Sequence, residues 1–279
     1  MSQADLQSVW LQALAHFERD ELPQAEALCI ELIQRAPERP LAYTMLSRIC
    51  HAVGLVREAT FNAFQASRYC AGESAADILV VATTLLEVNE QQLAHSTLGF
   101  IDPADPANAE CLLDLGRLYS VLEDQVNALR CIRAARVAGR DGAFIAHMEG
   151  IVLSFLGPID ASIAACEESV AKNPGYGHAH WSCAQYGRKE GARERIARMR
   201  EALQDPNADV DDVTYLHYGL FKEFDTLGET DDAWSALMAG ARARRSVTEH
   251  DATRETAAYD AIIEATSDCY FDICGDVPR

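Results

Sequence analysis

The chain repeats itself about every 34 residues, and a fixed period of that length restricts the fold more than any other property of the sequence. The phrases LPQAEALC from Leu22, GLVREATFNAFQAS from Gly54, NEQQLAHSTLGFI from Asn89 and EDQVNALRCIRAA from Glu123 share one phase. Their alanines, Ala25, Ala59, Ala94 and Ala128, follow one another at that period. One period more reaches Ser162 in GPIDASIAAC, and the last clear copy, GETDDAWSAL, holds Ala233. Each phrase follows a helix-length apolar pattern and a break at Gly54, Asn89, Glu123, Gly157 or Gly228, so each unit reads as two antiparallel helices joined by a short turn. A small residue recurs at one phase because a larger side chain at a close helix crossing would push the backbones apart. Pro37 and Pro174 stand just past second helices, where a proline stops a helix without breaking one.

The prediction is an all-α, right-handed superhelical solenoid of about seven helical hairpins over residues 1–247. Residues 248–279 hold a capping helix around Thr253 to Thr266, with Tyr259, Ile262 and Ile263 packed on the final hairpin, and then a tail or a linker to a possible downstream domain. A solenoid grows by adding units, so 279 residues need not divide into two globular domains. The interval from Ile196 to Ala233 is longer than the rest, and the extra residues at Asp205 to Asp212 are expected to emerge as a loop.

The pattern resembles the tetratricopeptide repeat family: a leucine-small pair, an aromatic three residues on, an alanine in the second helix and a terminal proline. LGRLY, Leu115 to Tyr119, with Ala128 and Ala135 is the clearest copy. Tyr43 and Leu46 with Gly54, Ala59 and Ala66 make a second, and Gly150, Gly157, Ser162 and Pro174 a third. The first, third and sixth units are degenerate; Ala13 lacks its preceding leucine, and Ile196 replaces the expected alanine. The resemblance implies a protein-interaction scaffold.

A narrower likeness covers Gly175 to Thr266. AHWSCAQ, then a basic helix, then YLHYGLFKEFDTLGETDDAWSALMAGARARRS and YDAIIEAT are similar, in phrase order, to bacterial tetratricopeptide-repeat sulfotransferases. That resemblance implies an N-terminal repeat region that positions an acceptor or a catalytic domain. The family's catalytic domain opens with a strand and a P-x-S-G-T-T loop whose backbone N–H groups bind the donor's 5′-phosphosulfate. No such loop occurs in the 279 residues, so no catalytic or donor-binding residue carries over. The donor, 3′-phosphoadenosine 5′-phosphosulfate, is implied only for a domain beyond Arg279, and no cofactor is expected in this chain. The alternative is a stand-alone adaptor that binds a protein or an acidic peptide with no catalysis.

Composition narrows the partners. A formal charge of −19 repels nucleic acid and anionic lipid, which leaves proteins or peptides, or a downstream domain. The start MSQADLQSVW lacks a secretion signal, and no stretch approaches the ~20 apolar residues of a membrane helix, so a cytoplasmic chain is expected. Cys29, Cys50, Cys131, Cys166 and Cys183 sit among alanines and leucines as small core residues. Cys269 and Cys274 are spaced wrongly for a C-x-x-C motif. His178 and His180 are two apart on a helix and cannot converge on one metal. No G-x-G-x-x-G, G-x-S-x-G or lysine-bearing P-loop occurs.

First helices of such hairpins line the concave face. Counting in phase places Arg48, His51, Arg117, His147, Trp181, Gln185, Arg188, Tyr218 and Lys222 there, a mixture of aromatic and cationic groups suited to an acidic peptide or a carboxylate. The same face can equally serve packing within a parent protein. Trp181, Arg188, Tyr218 and Lys222 form the expected groove. The basic run GRKEGARERIARMR, Gly187 to Arg200, reads either as a solvated helix with Glu190 and Glu194 as i,i+4 partners or as a docking face for an acidic partner.

Overall fold

Seven residues with positive φ recur at the repeat period: Asp20, Gly54, Asn89, Glu123, Gly157, Gly191 and Gly228, the last interval being slightly the widest. Each sits in the turn between two antiparallel helices. The left-handed region is open to glycine and costly for most other residues, which is why four of the seven are glycines and why a lone Asn or Asp is the usual substitute. The computed structural model describes residues 3–266, and within them the chain forms seven hairpins.

The first pairs α1 (Gln3–Glu18) with α2 (Leu22–Arg35), and the second α3 (Pro40–Ala52) with α4 (Val56–Arg68). The third is α5 (Ala75–Glu87) with α6 (Gln91–Leu98). A 3-10 turn at Pro106–Cys111 leads into the fourth, α7 (Leu112–Val121) with α8 (Gln125–Val137). The fifth is α9 (Ala143–Leu156) with α10 (Ile159–Lys172), the sixth α11 (Gly177–Tyr186) with α12 (Ala192–Ala202), and the seventh α13 (Val210–Leu227) with α14 (Thr230–Val247). A last helix, α15, spans Ala252–Ala265, and no strand occurs among the described residues.

Close crossings hold each hairpin together, and small residues make them in pairs. Ala13 faces Ala25, Ser47 faces Ala59, Ala82 faces Ala94, Gly116 faces Ala128 and Gly150 faces Ser162, and the side-chain-bearing members are fully buried. Ser47 donates its hydroxyl to the Ala59 carbonyl at 2.8 Å, and Ser162 does the same to the Gly150 carbonyl at 2.7 Å. A Cβ on Gly150 would lie 2.6 Å from the Cys166 sulfur and 3.1 Å from the Ser162 carbonyl oxygen, so the backbones there meet at a distance only glycine permits. The expected crossings at Ala25, Ala59, Ala94, Ala128, Ser162 and Ala233 are all buried.

Side chains stacked between hairpins make the apolar core. One continuous cluster runs from Ala63 on α4 through Leu85, Leu98, Leu115 and Ile132 to Val152 on α9, and a separate one joins α12, α13 and α14 around Met199, Leu216 and Phe224. Pro37 and Pro174 occupy β-turns closed by Arg39 N–H to Ala36 O (3.2 Å) and Tyr176 N–H to Asn173 O (3.1 Å), which swing the next first helix back onto the preceding hairpin.

Two expectations are corrected. The extra residues of the enlarged interval go largely into α13, which has 18 residues where α11 has 10, and the loop before it spans only 203–209. A helix accepts added residues at its free end because each brings its own backbone hydrogen bond. The last helix forms where expected but does not cap the stack: Tyr259, Ile262 and Ile263 are 60%, 58% and 67% exposed, and no residue of α15 is buried. The linker 248–251 has the length of the two proline turns but no backbone hydrogen bond closing it, so α15 is not folded back. The tail with Cys269 and Cys274 lies outside the described residues.

Candidate functional site

First helices of neighbouring hairpins touch one another, α3 with α5, α5 with α7, α9 with α11 and α11 with α13, and so build one wall of the solenoid. The nine residues predicted to line it divide into three groups. Arg48 on α3 and Arg117 on α7 come together across α5, on either side of an open cleft floored by Leu79, Val80, Thr83 and Leu118. They belong to hairpins two repeats apart and share one phase. Arg48 reaches Glu87 at 3.7 Å and stacks over the Phe17 ring at 5.1 Å, and Arg117 reaches Asp114 at 3.3 Å. Both ion pairs are long and exposed, so an incoming carboxylate can exchange for either acid at small cost. His51 lies one turn beyond Arg48, exposed at the end of α3.

The second group is aromatic. Trp181 on α11 meets Tyr218 on α13 edge to face, ring centroids 6.1 Å apart, in keeping with their common phase. Tyr218 turns edgewise to Tyr215 at 6.2 Å, and Tyr215 lies over His178 at 3.8 Å, so four rings run along the wall. Gly240 makes room for them, since a Cβ there would stand 2.7 Å from the Tyr218 ring. Lys222 is half-buried one turn beyond Tyr218, and Gln185 is exposed one turn beyond Trp181.

The third group leaves the wall. His147 is buried, not displayed: its Nε2 lies 2.8 Å from Ser182 Oγ and its Nδ1 3.3 Å from the Tyr176 hydroxyl. Burial, helped by nearby His178, pushes the imidazole pKa down to about 4, so the ring is neutral near pH 7. A serine and a histidine at this spacing are the elements of a nucleophile and base. Here both are more than nine-tenths buried and no substrate atom can approach, so the bond fastens α9 to α11. Arg188 is also displaced. Gly187 leaves the helical region at φ −65°, ψ 148°, ending α11 a turn early, and Arg188 falls in the turn, where it pairs with Asp160 of the neighbouring hairpin at 2.7 Å. It is therefore not part of a first-helix groove with Trp181.

The basic run is neither a solvated helix nor a free docking face. Arg195 is buried and grips Glu223, itself 1% exposed, through Nε to Oε1 and through a second guanidinium nitrogen to Oε2 at 3.0 Å. It also donates to the carbonyl oxygens of Arg188 and Glu190. Arg198 forms a two-pronged pair with Glu167 at 2.6 and 2.9 Å, and Arg193 does so with Glu229. Burial raises the Glu167 carboxyl, but Arg198 more than offsets it and holds the pKa below the ordinary value. These arginines join α12 to α10, α13 and the last turn, which is the geometry in which a planar, five-donor guanidinium outperforms lysine.

His178 and His180 diverge as the helix geometry requires: His178 Nε2 meets Asp211 at 2.8 Å and His180 Nε2 meets the Pro174 carbonyl at 2.9 Å. Among the described residues no three His, Cys, Asp or Glu side chains converge as a metal site needs. The ring pair His178–Tyr215 is outside the predicted set. Its signal in the sequence is a separation equal to the enlarged repeat, which puts both rings at one phase. No helix of the described residues is long and apolar enough to cross a membrane.

No family profile and no curated protein sequence matches the chain. Solved structures do. A tetratricopeptide repeat protein from Parabacteroides merdae superposes with a TM-score of 0.54 at 15% identity, covering 90% of this chain and 96% of its own. The C-terminal part of a TPR repeat-containing protein from Cytophaga hutchinsonii superposes with a TM-score of 0.56 at 10% identity, covering 86% of this chain and 100% of its own. At these identities the likeness establishes the fold, and the fold of this chain is a tetratricopeptide-repeat solenoid.

Proposed function

We propose that the chain is a protein-binding scaffold whose first-helix wall receives an extended acidic segment of a partner. The observation that carries this is the cleft between α3 and α7, where Arg48 and Arg117 flank an apolar floor, their ion pairs to Glu87 and Asp114 are long and exposed, and Arg48 is otherwise steadied by the Phe17 ring. A partner carboxylate replaces Glu87 or Asp114 while a neighbouring apolar side chain covers Leu79 and Val80. The overall charge of −19 opposes a uniformly acidic ligand, so recognition rests on one or two acids next to an apolar residue. The aromatic row of Trp181, Tyr218 and Tyr215 extends the same wall, with Gln185 and Lys222 beside it. The test is a fluorescence titration against a library of acidic-apolar peptides. Reversing both charges, Arg48→Glu with Arg117→Glu, is expected to weaken the best binder about tenfold or more, about 1.4 kcal/mol, with no change in helicity. Unchanged affinity in that variant would remove the cleft from the binding surface.

A second reading concerns the narrower sulfotransferase resemblance, in which this scaffold holds an acceptor or a catalytic domain. The observation in its favour is that the two phrases bearing the likeness, AHWSCAQ and YLHYGLFKEF, pack on each other through Trp181 and Tyr218 and so present one surface. Co-purification of the chain with a separately expressed sulfotransferase catalytic domain, lost on Trp181→Ala, would support it.

A further inference from the structure

The end of the hairpin stack is uncovered, and so is the helix that follows it. On α14 the residues Trp234, Met238, Ala241 and Arg245 share one face at helical spacing; all four are exposed, Trp234 by 62%. This is the side on which a further helix sits elsewhere in the stack. In the fifth hairpin, the position five past the small crossing residue is Glu167, paired with Arg198 of α12; in α14 the same position is Met238, 37% exposed, and no later helix makes substantial contact with α14 among the described residues. On α15 a matching face carries Glu255, Tyr259, Ile262 and Ile263, all exposed.

Laid antiparallel, the two faces agree residue by residue. Met238 lies nine positions before the end of α14 and Ile262 ten after the start of α15, about 14 and 15 Å at about 1.5 Å per residue. Trp234 then falls beside Ile263 and Thr266, and Arg245 beside Glu255. The charges are complementary: α14 ends in Arg242, Arg244 and Arg245, while the matching side of α15 and its cap carry Glu255 and Asp251. Of the three arginines Arg244 is engaged, by Asp211 at 2.6 Å, and Arg242 and Arg245 form no ion pair among the described residues. The linker decides which chain supplies the helix. Residues 248–251 lack the proline and the closing hydrogen bond that return the chain at 36–39 and 173–176, and α15 makes no substantial contact with its own α14.

We propose that α14 of one copy is the seat for α15 of a second, exchanged reciprocally about a two-fold axis. One such helix pair is too small for a stable complex, and the two-fold doubles it. The full chain is tested by sedimentation velocity between about 1 and 100 µM, concentrations that span weak and moderate association. A dimer is expected, dispersed to monomer by either Trp234→Glu or Ile262→Glu with unchanged helicity. Arg245→Glu and Glu255→Arg singly are expected to weaken it about tenfold, and together to restore it, since the double variant recovers the pairing in reverse. A monomer throughout the range overturns the proposal, as does a dimer indifferent to both apolar variants. A monomer whose melting temperature falls in the single charge variants and recovers in the double also overturns it, and assigns the seat to the chain's own α15.

Discussion

Hairpins two to five and hairpins six and seven follow the same period but are held together by different means. In the former each crossing is a pair of small residues, Ser47 with Ala59, Ala82 with Ala94, Gly116 with Ala128 and Gly150 with Ser162, and the helices close on an apolar core that runs unbroken from α4 to α9. In the latter the pair degrades to Ala184 with Ile196 and then Phe221 with Ala233. The buried Arg195–Glu223 pair joins α12 to α13, and glycines move to new places: Gly219 against the Met199 sulfur, Gly240 against the Tyr218 ring. Small crossings give tight, largely apolar units, although Arg133 and Arg136 of α8 already hold the buried Glu149 of α9; where the small crossings are lost, the joining ion pair, Arg195 with Glu223, has both partners buried.

The sharpest way to break this contrast is Glu223→Ala. It strands Arg195 inside the protein with its charge unpaired, and a loss of about 3–5 kcal/mol is expected in urea denaturation. Replacing both residues, Arg195→Met with Glu223→Met, should cost far less, because two apolar groups of similar volume leave nothing uncompensated. If the single variant were as stable as the double, the ion pair would not be what joins these hairpins.

In the regular half the corresponding test is Ala128→Leu. Ala128 is fully buried opposite Gly116, where an added Cβ would lie 3.4 Å from the Ala128 carbonyl oxygen. Overpacking there is expected to cost about 1–3 kcal/mol, measured the same way. A neutral result would mean that the crossings tolerate bulk and that their small residues are not what sets the spacing. The smallest effect is expected from Arg188→Ala. Its pair with Asp160 is 72% and 82% exposed, and stability should change by less than about 0.5 kcal/mol.

The regular half is largely legible in the sequence, because the features that build it are local and repeated. A small residue once per period and a turn residue at a fixed offset identify the hairpins without reference to anything distant. The irregular half depends on partners that local spacing cannot supply. For the basic run as a whole the i,i+4 spacing offers Glu190 and Glu194, whereas Arg195 is held by Glu223, which sits on another helix whose start is displaced by the enlarged interval. Phase alone assigns Arg188 to α11, yet Gly187 ends that helix before the count is complete. His147 keeps the phase of a wall residue, but Ser182 and Tyr176 draw its ring inward, and neither lies on its own helix. Arg48 and Arg117 share a phase and a face, while the cleft between them depends on Val80 and Thr83 of α5, which carry no signal of their own.

The seven left-handed turns bear on how the molecule would respond to load. Substantial contacts between helices run within a hairpin or between adjoining ones. A chain pulled from its two ends would therefore yield one unit at a time rather than all at once. Turn follows turn at the repeat period until the interval from Gly191 to Gly228, which is the longest. At about 3.4 Å per extended residue, every rupture releases a contour of about 120 Å. The interval that ends at the seventh turn adds roughly 10 Å more. The uneven repeat would thus be readable as a single longer step in an otherwise regular force–extension trace.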